Sequence, residues 1–445
     1  MTPLPRPAPP PAAAHETAAH ETAAHETASH ETAAHETASH ETASHETASE
    51  GAAASVGVAS VGGAAREAVA EVGVLWRAAR SVMPGGHLDA AGCNVPSDRT
   101  LAAVVAQLRG ERERGGYAAA PDLAEPRAAL AALVGAAPAD VAFTESGTAA
   151  MAALLGGWHL PAGSRVGHAR TEYGGTVMLL RRLAARNGWR LVELPVDGDG
   201  RLDPDALRSR LAKGLDLVVV SHVGSHSGVV QPAQELGALC RAAGVPLVLD
   251  VCQSLGHVDT GGVGAAAYVG TSRKWLAGPR GVGFVIAATA VPMDAAVPTL
   301  GGHRWDGGQV TPRPGAARYE TSEGPMAARA GFGAAVMEHH ALGPHAVHAH
   351  LAALGRVARD LLDGAGGWRV TEPRDEPSAL VTLLPPPEDT VDRAAARAAE
   401  ASLLVSAIPA ERAPLHLSQP LLRVSPPPGT GEEPVRALAR ILAAG

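Results

Sequence analysis

From Val104 onward, apolar segments of strand length alternate with segments of helical length, and this alternation constrains the fold more than any other feature. Such spacing is typical of a mostly parallel sheet with helices on both faces. We therefore expect an α/β fold in this part of the chain. The predicted strands cover residues 141–144, 165–168, 191–195, 215–223, 245–250, 265–270 and 282–286, and the predicted helices between them include 175–186 and 204–212.

The pattern changes after Gly301, where two long helices precede shorter strands and a final helix that begins at Glu432. A mixed segment of this kind indicates a second, smaller α+β domain. We expect a large domain over residues 96–325, a small domain over 326–445, and an N-terminal segment, 66–95, that packs with the small domain. The helices predicted here cover residues 325–340 and 343–363, and the strands 368–371, 379–384, 403–407 and 421–425.

The first 65 residues differ from the rest of the sequence. Seven copies of His-Glu-Thr-Ala followed by Ala or Ser run from His15 to Ser49. A five-residue period matches neither a helix nor a strand, and alanine is too small to drive burial. We expect residues 1–65 to be a disordered low-complexity tail. The spaced histidines could bind a metal weakly, but a solvated low-complexity extension is the much better interpretation of the repeats.

Composition excludes several classes of protein. The net charge of -8 owes seven negative charges to the repeats, from Glu16 to Glu46, so the remainder is nearly neutral and no basic face suggests nucleic acid. No apolar run is long enough to span a bilayer, and no leader pattern opens the chain. Three cysteines without a C-x-x-C pair favour free thiols. We expect a cytoplasmic protein without membrane or nucleic-acid partners.

Lysine usage is unusual, because Lys213 and Lys274 are the only lysines in 445 residues. A Schiff base requires a primary amine that can lose its proton, and a guanidinium cannot supply one. Lys213 ends an amphipathic helix before Gly214, where a positive charge faces the helix dipole. Lys274 instead follows a strand and precedes a glycine-rich turn. Lys274 is therefore the candidate for covalent chemistry.

Three signals occur at the ends of predicted strands, where open α/β sheets bind ligands. Gly147 and Thr148 open a helix after the first strand, which creates an anion site suited to a phosphate. Asp250 ends an apolar strand, and a carboxylate there can keep a pyridine ring protonated. Lys274 follows 24 positions later. Taken separately, the first two signals are better explained by an ordinary strand–helix turn and by a helix N-cap.

Together these residues resemble the class V aminotransferase family of fold type I pyridoxal-phosphate enzymes, over a stretch from about Leu88 to the C-terminus. Within the family, five segments are similar to the carbon–sulfur lyases of ergothioneine biosynthesis, which act on hercynylcysteine sulfoxide. They are Gly-His-Leu-Asp-Ala-Ala-Gly-Cys (86–93), Thr-Glu-Tyr-Gly (171–174), Ser-His-Ser-Gly-Val-Val-Gln-Pro (225–232), Ser-Arg-Lys-Trp-Leu-Ala-Gly-Pro-Arg-Gly-Val-Gly (272–283) and Asp-Glu-Pro-Ser-Ala-Leu (375–380).

The resemblance implies pyridoxal 5'-phosphate as cofactor and assigns roles by position. Gly147 and Thr148 would hold the phosphate, and Thr271 and Arg273 match positions near it. Tyr173 falls where the family places the residue that stacks on the cofactor, often a histidine. Arg423 matches the arginine that grips the substrate carboxylate. The remaining positions would flank the phenolic oxygen of the cofactor: Ser225, where relatives often have Asn, and Gln253.

The resemblance also implies the reaction, a β-elimination that expels a sulfenate from a cysteine-derived sulfoxide and leaves pyruvate and ammonia. It implies a homodimer with sites near the interface, which residues 318–322 would help to form. The main alternative is a cysteine desulfurase or selenocysteine lyase, which needs a mobile cysteine late in the chain, yet none follows Cys252. An aminotransferase, an epimerase or a non-catalytic regulator of the same fold is also compatible with part of the pattern.

Other candidates favour simpler interpretations. Two or three of the five histidines on the helices of the small domain would have to converge to bind a metal, so we expect no metal there. Cys93 is expected to be a packed thiol rather than a nucleophile, and Trp275 to belong to the core. His226 and Tyr319 are candidates for the substrate pocket without a firm assignment. The five histidines are His339, His340, His345, His348 and His350.

Overall fold

The computed structural model describes residues 63–287, 293–321 and 323–445. The predicted tail lies outside the described residues except for positions 63–65, which begin helix α1 (Gly63–Ala78). Within the described part of the chain, no helix combines the length and the apolar character that crossing a bilayer requires.

A seven-stranded sheet forms the centre of the molecule, in the order β1-β7-β6-β5-β4-β2-β3. The neighbours from β3 to β6 are parallel, and β7 is antiparallel to both β6 and β1. The predicted mostly parallel sheet is therefore confirmed. The strands are β1 (Val141–Thr144), β2 (Arg165–Ala169), β3 (Arg190–Leu194), β4 (Leu217–Ser221), β5 (Leu247–Asp250), β6 (Ala267–Thr271) and β7 (Gly283–Ala287).

Both faces of this sheet are buried, which explains why its central strands are continuous apolar runs. In β4, Val218 and Val220 pack into one apolar cluster, while Leu217 and Val219 pack into the other. Helices cover each cluster. The helices that follow α1 and precede β7 in the chain are α2 (Ala90–Cys93), α3 (Asp98–Arg114), α4 (Ala124–Ala132), α5 (Gly147–Gly156), α6 (Gly174–Asn187), α7 (Pro204–Ala212) and α8 (Ala233–Ala242).

A second, antiparallel sheet of four strands follows in the order β10-β11-β13-β12. Its apolar cluster includes Leu383 and Leu422 from the sheet and Leu362 and Leu438 from the helices. The strands are β10 (Arg369–Val370), β11 (Val381–Leu384), β12 (Ser406–Ile408) and β13 (Leu421–Val424), and the helices from this half of the chain are α9 (Met326–Leu342), α10 (Pro344–Leu362), α11 (Val391–Glu400) and α12 (Glu432–Ala443).

The segment that precedes α2 connects the two sheets. His87 pairs with Leu404 and Asp89 with Ser425 in parallel bridges. These bridges align residues 86–91 along the second sheet, and α2 then faces the carboxyl ends of the first sheet. An N-terminal segment is thereby placed beside strands more than 300 residues later in the chain.

Two features differ from the sequence prediction. An exposed hairpin, β8 (His303–Asp306) and β9 (Gln309–Pro312), was not predicted, because its strands lack the alternation of apolar and polar residues. The strand predicted at 403–407 lies at Ser406–Ile408 instead. Leu404 exchanges backbone hydrogen bonds with Gly86 and Leu88, and Ser402 has a positive φ of 61° that bends the chain before β12.

Candidate active site

A cavity of about 330 Å³ lies at the carboxyl ends of β4, β5 and β6, between the two sheets. Its wall contains all ten residues to which the sequence analysis assigned a catalytic, cofactor-binding or substrate-binding role. Because these residues come from separate strand ends and from the second sheet, only the folded chain brings them together. They are Gly147, Thr148, Tyr173, Ser225, Asp250, Gln253, Thr271, Arg273, Lys274 and Arg423.

The turn from β1 into α5 forms one end of the cavity. Ser146 caps the helix, and its side chain accepts a hydrogen bond from the Ala149 N–H at 3.0 Å. Gly147 and Thr148 lie in the first turn of α5, where backbone N–H groups have no carbonyl of the helix to bond. A Cβ at Gly147 would lie 2.6 Å from Cys252 Sγ, so only glycine fits there. The turn can therefore bind an anion.

Asp250 ends β5 with its carboxylate at the cavity wall. One oxygen, Oδ1, accepts a hydrogen bond from the Cys252 N–H at 2.8 Å, which fixes the orientation of the carboxylate. Gln253 is buried, and its amide donates to the Ala91 carbonyl at 3.1 Å and accepts from Trp275 Nε1 at 2.9 Å. The amide thus connects the strand end to the N-terminal segment.

Lys274 follows β6 in a tight turn, in which the Ala277 N–H donates to the Lys274 carbonyl at 2.9 Å. Ala277 has a φ of 52°, an uncommon conformation for a residue with a side chain. Burial lowers the pKa of the Lys274 amine, and Arg273 and Arg423 lower it further against the opposing effect of the Asp250 carboxylate. A lowered pKa favours the neutral, nucleophilic amine.

Glu172 lies beneath the cavity and is 1% exposed. Its carboxyl accepts hydrogen bonds from the Ser221 N–H at 2.8 Å and from Ser221 Oγ at 2.7 Å. Burial raises the pKa of Glu172 to about 8 despite those hydrogen bonds, and the nearby charge of Asp250 adds to the increase. The next residue, Tyr173, precedes α6 and places its ring at the cavity wall.

Arg423 enters the cavity from β13 with a set of fixed partners. Its Nη1 donates to the Ser225 carbonyl at 2.9 Å, and its Nη2 donates to Asp89 Oδ1 at 2.9 Å and to Ser406 Oγ at 3.2 Å. Ser406 Oγ in turn donates to Asp89 at 2.7 Å. The Arg423 Nε is buried without a hydrogen-bond partner. Burial lowers the pKa of Arg423, and the Asp89 carboxylate opposes that decrease.

Several residues of this region had no predicted role. Asp89 belongs to a segment that carried the family resemblance, but its partnership with Arg423 spans 334 positions. Ser406, Arg412 and Cys252 also line the cavity. The position of Cys252 between Asp250 and Gln253 could have indicated that it lies at the cavity. Nothing in the sequence indicates where Ser406 and Arg412 lie.

The remaining candidates lie away from the cavity wall. Cys93 is half-buried, and all three cysteines of the chain are free thiols. His226 is buried and hydrogen-bonded to His416 at 3.0 Å, and Tyr319 packs into the core of the first sheet. Trp275 is buried and stacks on His257 at 3.6 Å. Among the described residues, no three His, Cys, Asp or Glu side chains are grouped so that they could hold a metal ion, at the small-domain histidines or elsewhere.

Comparisons with known proteins identify the family of the chain. The family model "Aminotransferase class-V" matches residues 101–386. A Mycobacterium tuberculosis protein named "Probable hercynylcysteine sulfoxide lyase" is 40% identical over 383 residues, which cover 83% of this chain and 92% of that protein.

Two solved structures share the fold. The cysteine desulfurase CsdA of Escherichia coli matches with a TM-score of 0.72 at 19% identity, covering 84% of this chain and 98% of its own. A mutant of C-DES with glycine covalently linked to its PLP cofactor matches with a TM-score of 0.72 at 21% identity, covering 81% and 96%.

Fold and cavity thus define a fold type I pyridoxal-phosphate enzyme, as predicted. The chain belongs to the class-V aminotransferase family, and pyridoxal 5'-phosphate is its cofactor. The residues present fit that group. A helix N-terminus can take a phosphate, a carboxylate with one oxygen uncommitted to the backbone can face a ring nitrogen, and a buried amine with a lowered pKa can face the aldehyde. The buried Ser225 Oγ also lacks a partner of its own within the described protein.

Proposed function

We propose that this chain is a pyridoxal-phosphate-dependent carbon–sulfur lyase that cleaves hercynylcysteine sulfoxide by β-elimination. The products would be the sulfenate of ergothioneine, which a reductant converts to ergothioneine, together with pyruvate and ammonia. The name of the Mycobacterium tuberculosis relative and its 92% coverage support the substrate. The arrangement of the cavity supports the reaction type.

Different residues of the cavity would bind different parts of the cofactor. Gly147 and Thr148 would hold the phosphate of the cofactor, with Thr271 and Arg273 close to it. Asp250 would keep the ring nitrogen protonated. Tyr173 would pack on the ring, and Ser225 and Gln253 would flank the phenolic oxygen. When bound, pyridoxal phosphate supplies a cationic ring that delocalises the electrons released at Cα of the substrate.

The chain then performs the proton transfers. Arg423 would bind the α-carboxylate of the cysteine moiety in the orientation that Asp89 and Ser406 fix. Lys274 Nζ would remove the Cα proton, for which its lowered pKa makes it a suitable base. The Cβ–S bond breaks, the electron pair remains on sulfur, and the sulfenate leaves. Hydrolysis of the resulting enamine yields pyruvate and ammonia.

The observation that carries the proposal is the chemistry of the segment that covers the cavity. Residues 409–420, between β12 and β13, contribute Arg412 to the wall and contain no cysteine. The thiol that does line the cavity, Cys252, lies on the opposite side, after β5. Burial and the neighbouring Asp250 raise the pKa of Cys252 well above its usual value, which keeps the thiol protonated. A persulfide route, which requires a thiolate nucleophile, is therefore disfavoured.

The test is an incubation of the full-length holoenzyme with hercynylcysteine sulfoxide and a thiol reductant. We expect pyruvate and ergothioneine in equal amounts, measured by a coupled dehydrogenase assay and by chromatography. A parallel reaction with free cysteine controls for desulfurase activity. Alanine and sulfide from cysteine, without turnover of the sulfoxide, would support the desulfurase alternative and refute the proposal.

We further propose that the protein is a cytoplasmic homodimer. Free thiols are typical of a reducing compartment. Helix α3 exposes an apolar stripe at Leu101, Val105 and Leu108, spaced four and three residues apart on one face. Such a stripe is suited to burial against a second subunit. Light scattering coupled to gel filtration tests this, and a monomer mass across micromolar concentrations would contradict it.

A further inference from the structure

The segment of residues 409–420, which we call the cover, is attached to the first sheet by several contacts. Arg170 Nε donates to the Leu415 carbonyl at 3.1 Å, and His416 Nδ1 lies 3.0 Å from His226 Nε2. A Cβ at Gly174 would lie 2.3 Å from the Glu411 carbonyl oxygen, so the cover approaches the start of α6 closely. These contacts hold the cover against the N-terminal end of α6, beside Tyr173.

Arg412 is the residue through which the cover reaches the cavity. Its guanidinium carbon lies 5.7 Å from the centroid of the Tyr173 ring. Within the described parts of the chain, the guanidinium makes no hydrogen bond and has no carboxylate at ion-pair distance. A half-buried arginine without such partners retains its full capacity for a planar anion.

The other arginine from the second sheet contrasts with it. Arg423 already holds Asp89, Ser225 and Ser406 at 2.9–3.2 Å. Arg412 and Arg423 both line the cavity, and the positive charge of Arg412 contributes to the lowered pKa of Arg423. Asp89 is engaged by Arg423, and Asp250 lies on the opposite wall with Lys274. One positive charge at the cover side of the cavity is therefore uncompensated.

We propose that Arg412 binds the second carboxylate of the substrate, the one on its betaine end. This inference rests on the proposed function, because the sulfoxide named there carries two carboxylates, one on the cysteine moiety and one on the betaine. Arg423 takes the first and Arg412 the second, so that both ends of the substrate are fixed. The methyl groups on the quaternary nitrogen keep that cation away from the guanidinium, while the carboxylate oxygens can approach it. Arg412 thus selects the substrate and takes no part in bond cleavage.

The experiment compares Arg412→Ala and Arg412→Lys with the wild-type holoenzyme on two substrates. The first is hercynylcysteine sulfoxide, and the second is S-phenyl-L-cysteine sulfoxide, which lacks the betaine carboxylate. For the first substrate we expect the Ala variant to raise KM about 10- to 100-fold, the range of a hydrogen-bonded charged pair, with kcat changed little. For the second we expect KM to change less than about 3-fold. The Lys variant should recover part of the loss, since it keeps the charge and loses the planar geometry.

Arg182→Ala is the matched control, because Arg182 is an exposed arginine of α6 that lies outside the cavity wall. It should leave the ratio of the two KM values unchanged. Equal losses for both substrates in Arg412→Ala would overturn the inference and assign Arg412 a structural role on Tyr173. If the wild-type enzyme releases pyruvate from the phenyl substrate but none from hercynylcysteine sulfoxide, the proposed function itself has failed.

Discussion

The two sides of the cavity are built differently. One side of the cavity, which we call the floor, consists of residues at or shortly after the ends of strands of the first sheet: Gly147, Thr148, Asp250, Thr271, Arg273 and Lys274. The opposite side, which we call the roof, consists of Ser406, Arg412 and Arg423 at the cavity wall, together with Asp89, which binds Arg423 and Ser406. Floor groups retain unused hydrogen-bonding capacity, whereas three of the four roof residues bind one another. The floor is thus suited to a cofactor, and the roof is organised in advance for one kind of substrate.

The largest expected effect concerns the floor. Lys274→Ala should reduce turnover about 10²- to 10⁴-fold from the loss of the proton-transfer group alone, and it should abolish the cofactor absorbance band of the resting enzyme. Lys213→Ala is the matched control, since Lys213 is exposed at the end of α7 and is the only other lysine. If both variants lost turnover to a similar extent, Lys274 would have no special role in catalysis, and the floor would not be the site of the chemistry.

A large effect is also expected in the roof, from Asp89→Asn. The substitution removes the charge that compensates Arg423, whose side chain is 5% exposed. Breaking a buried pair from one side costs about 3–5 kcal/mol of unfolding free energy. Urea unfolding measures this loss, and KM for the sulfoxide should rise as the arginine loses its orientation.

Glu433→Gln serves as the control for Asp89→Asn, because its pair with Arg440 is exposed, with side-chain exposures of 72% and 65%. An exposed pair contributes about 1 kcal/mol at most. If Asp89→Asn were equally mild, the roof would not be organised by this ion pair.

A smaller, pH-dependent effect is expected for Glu172, which lies under the floor. Its pKa of about 8 in the folded protein exceeds the ordinary value of 4.5, so the folded state binds the extra proton between those pH values. Stability should therefore fall as pH rises through this window, by on the order of 1.4 kcal/mol per unit at most. Glu172→Gln should remove that slope from the cofactor-free protein. Parallel pH profiles of unfolding free energy for the two proteins would show that Glu172 is ionised throughout.

The smallest effect is expected for Ser406→Ala in the roof. The hydroxyl bridges Asp89 and Arg423, but the direct contact between those two residues remains. Losing one such bridge costs about 0.5–1.5 kcal/mol. We expect a several-fold rise in KM and an unchanged kcat from initial-rate measurements. A fall in kcat with constant KM would mean that Ser406 takes part in the chemical step.

The same contrast explains what the sequence could predict. Floor residues lie where local patterns end, so the apolar run before Asp250 and the strand before Lys274 were enough to find them. Arg423 was found only through the family resemblance. Its partner Asp89 was not found, because a contact across 334 positions leaves no periodic signal. Arg412 lies in an irregular segment whose position depends on packing against α6.

The fold followed the same rule. The strands of the first sheet were predicted to within a few residues, since burial on both faces makes them continuous apolar runs. The strand at Ser406–Ile408 was predicted three residues early, because Leu403 is apolar for burial rather than for pairing within the sheet. The assignment of cofactor contacts to individual floor residues remains a prediction.

The most direct test of the account is to locate the covalent attachment of the cofactor. The holoenzyme would be reduced with borohydride, digested and analysed by mass spectrometry. With two lysines in the whole sequence, the pyridoxyl group has two possible side-chain positions. We predict complete labelling of the peptide that contains Lys274 and none of the peptide that contains Lys213. Label on Lys213, or on neither lysine, would contradict the assignment of this cavity as the active site.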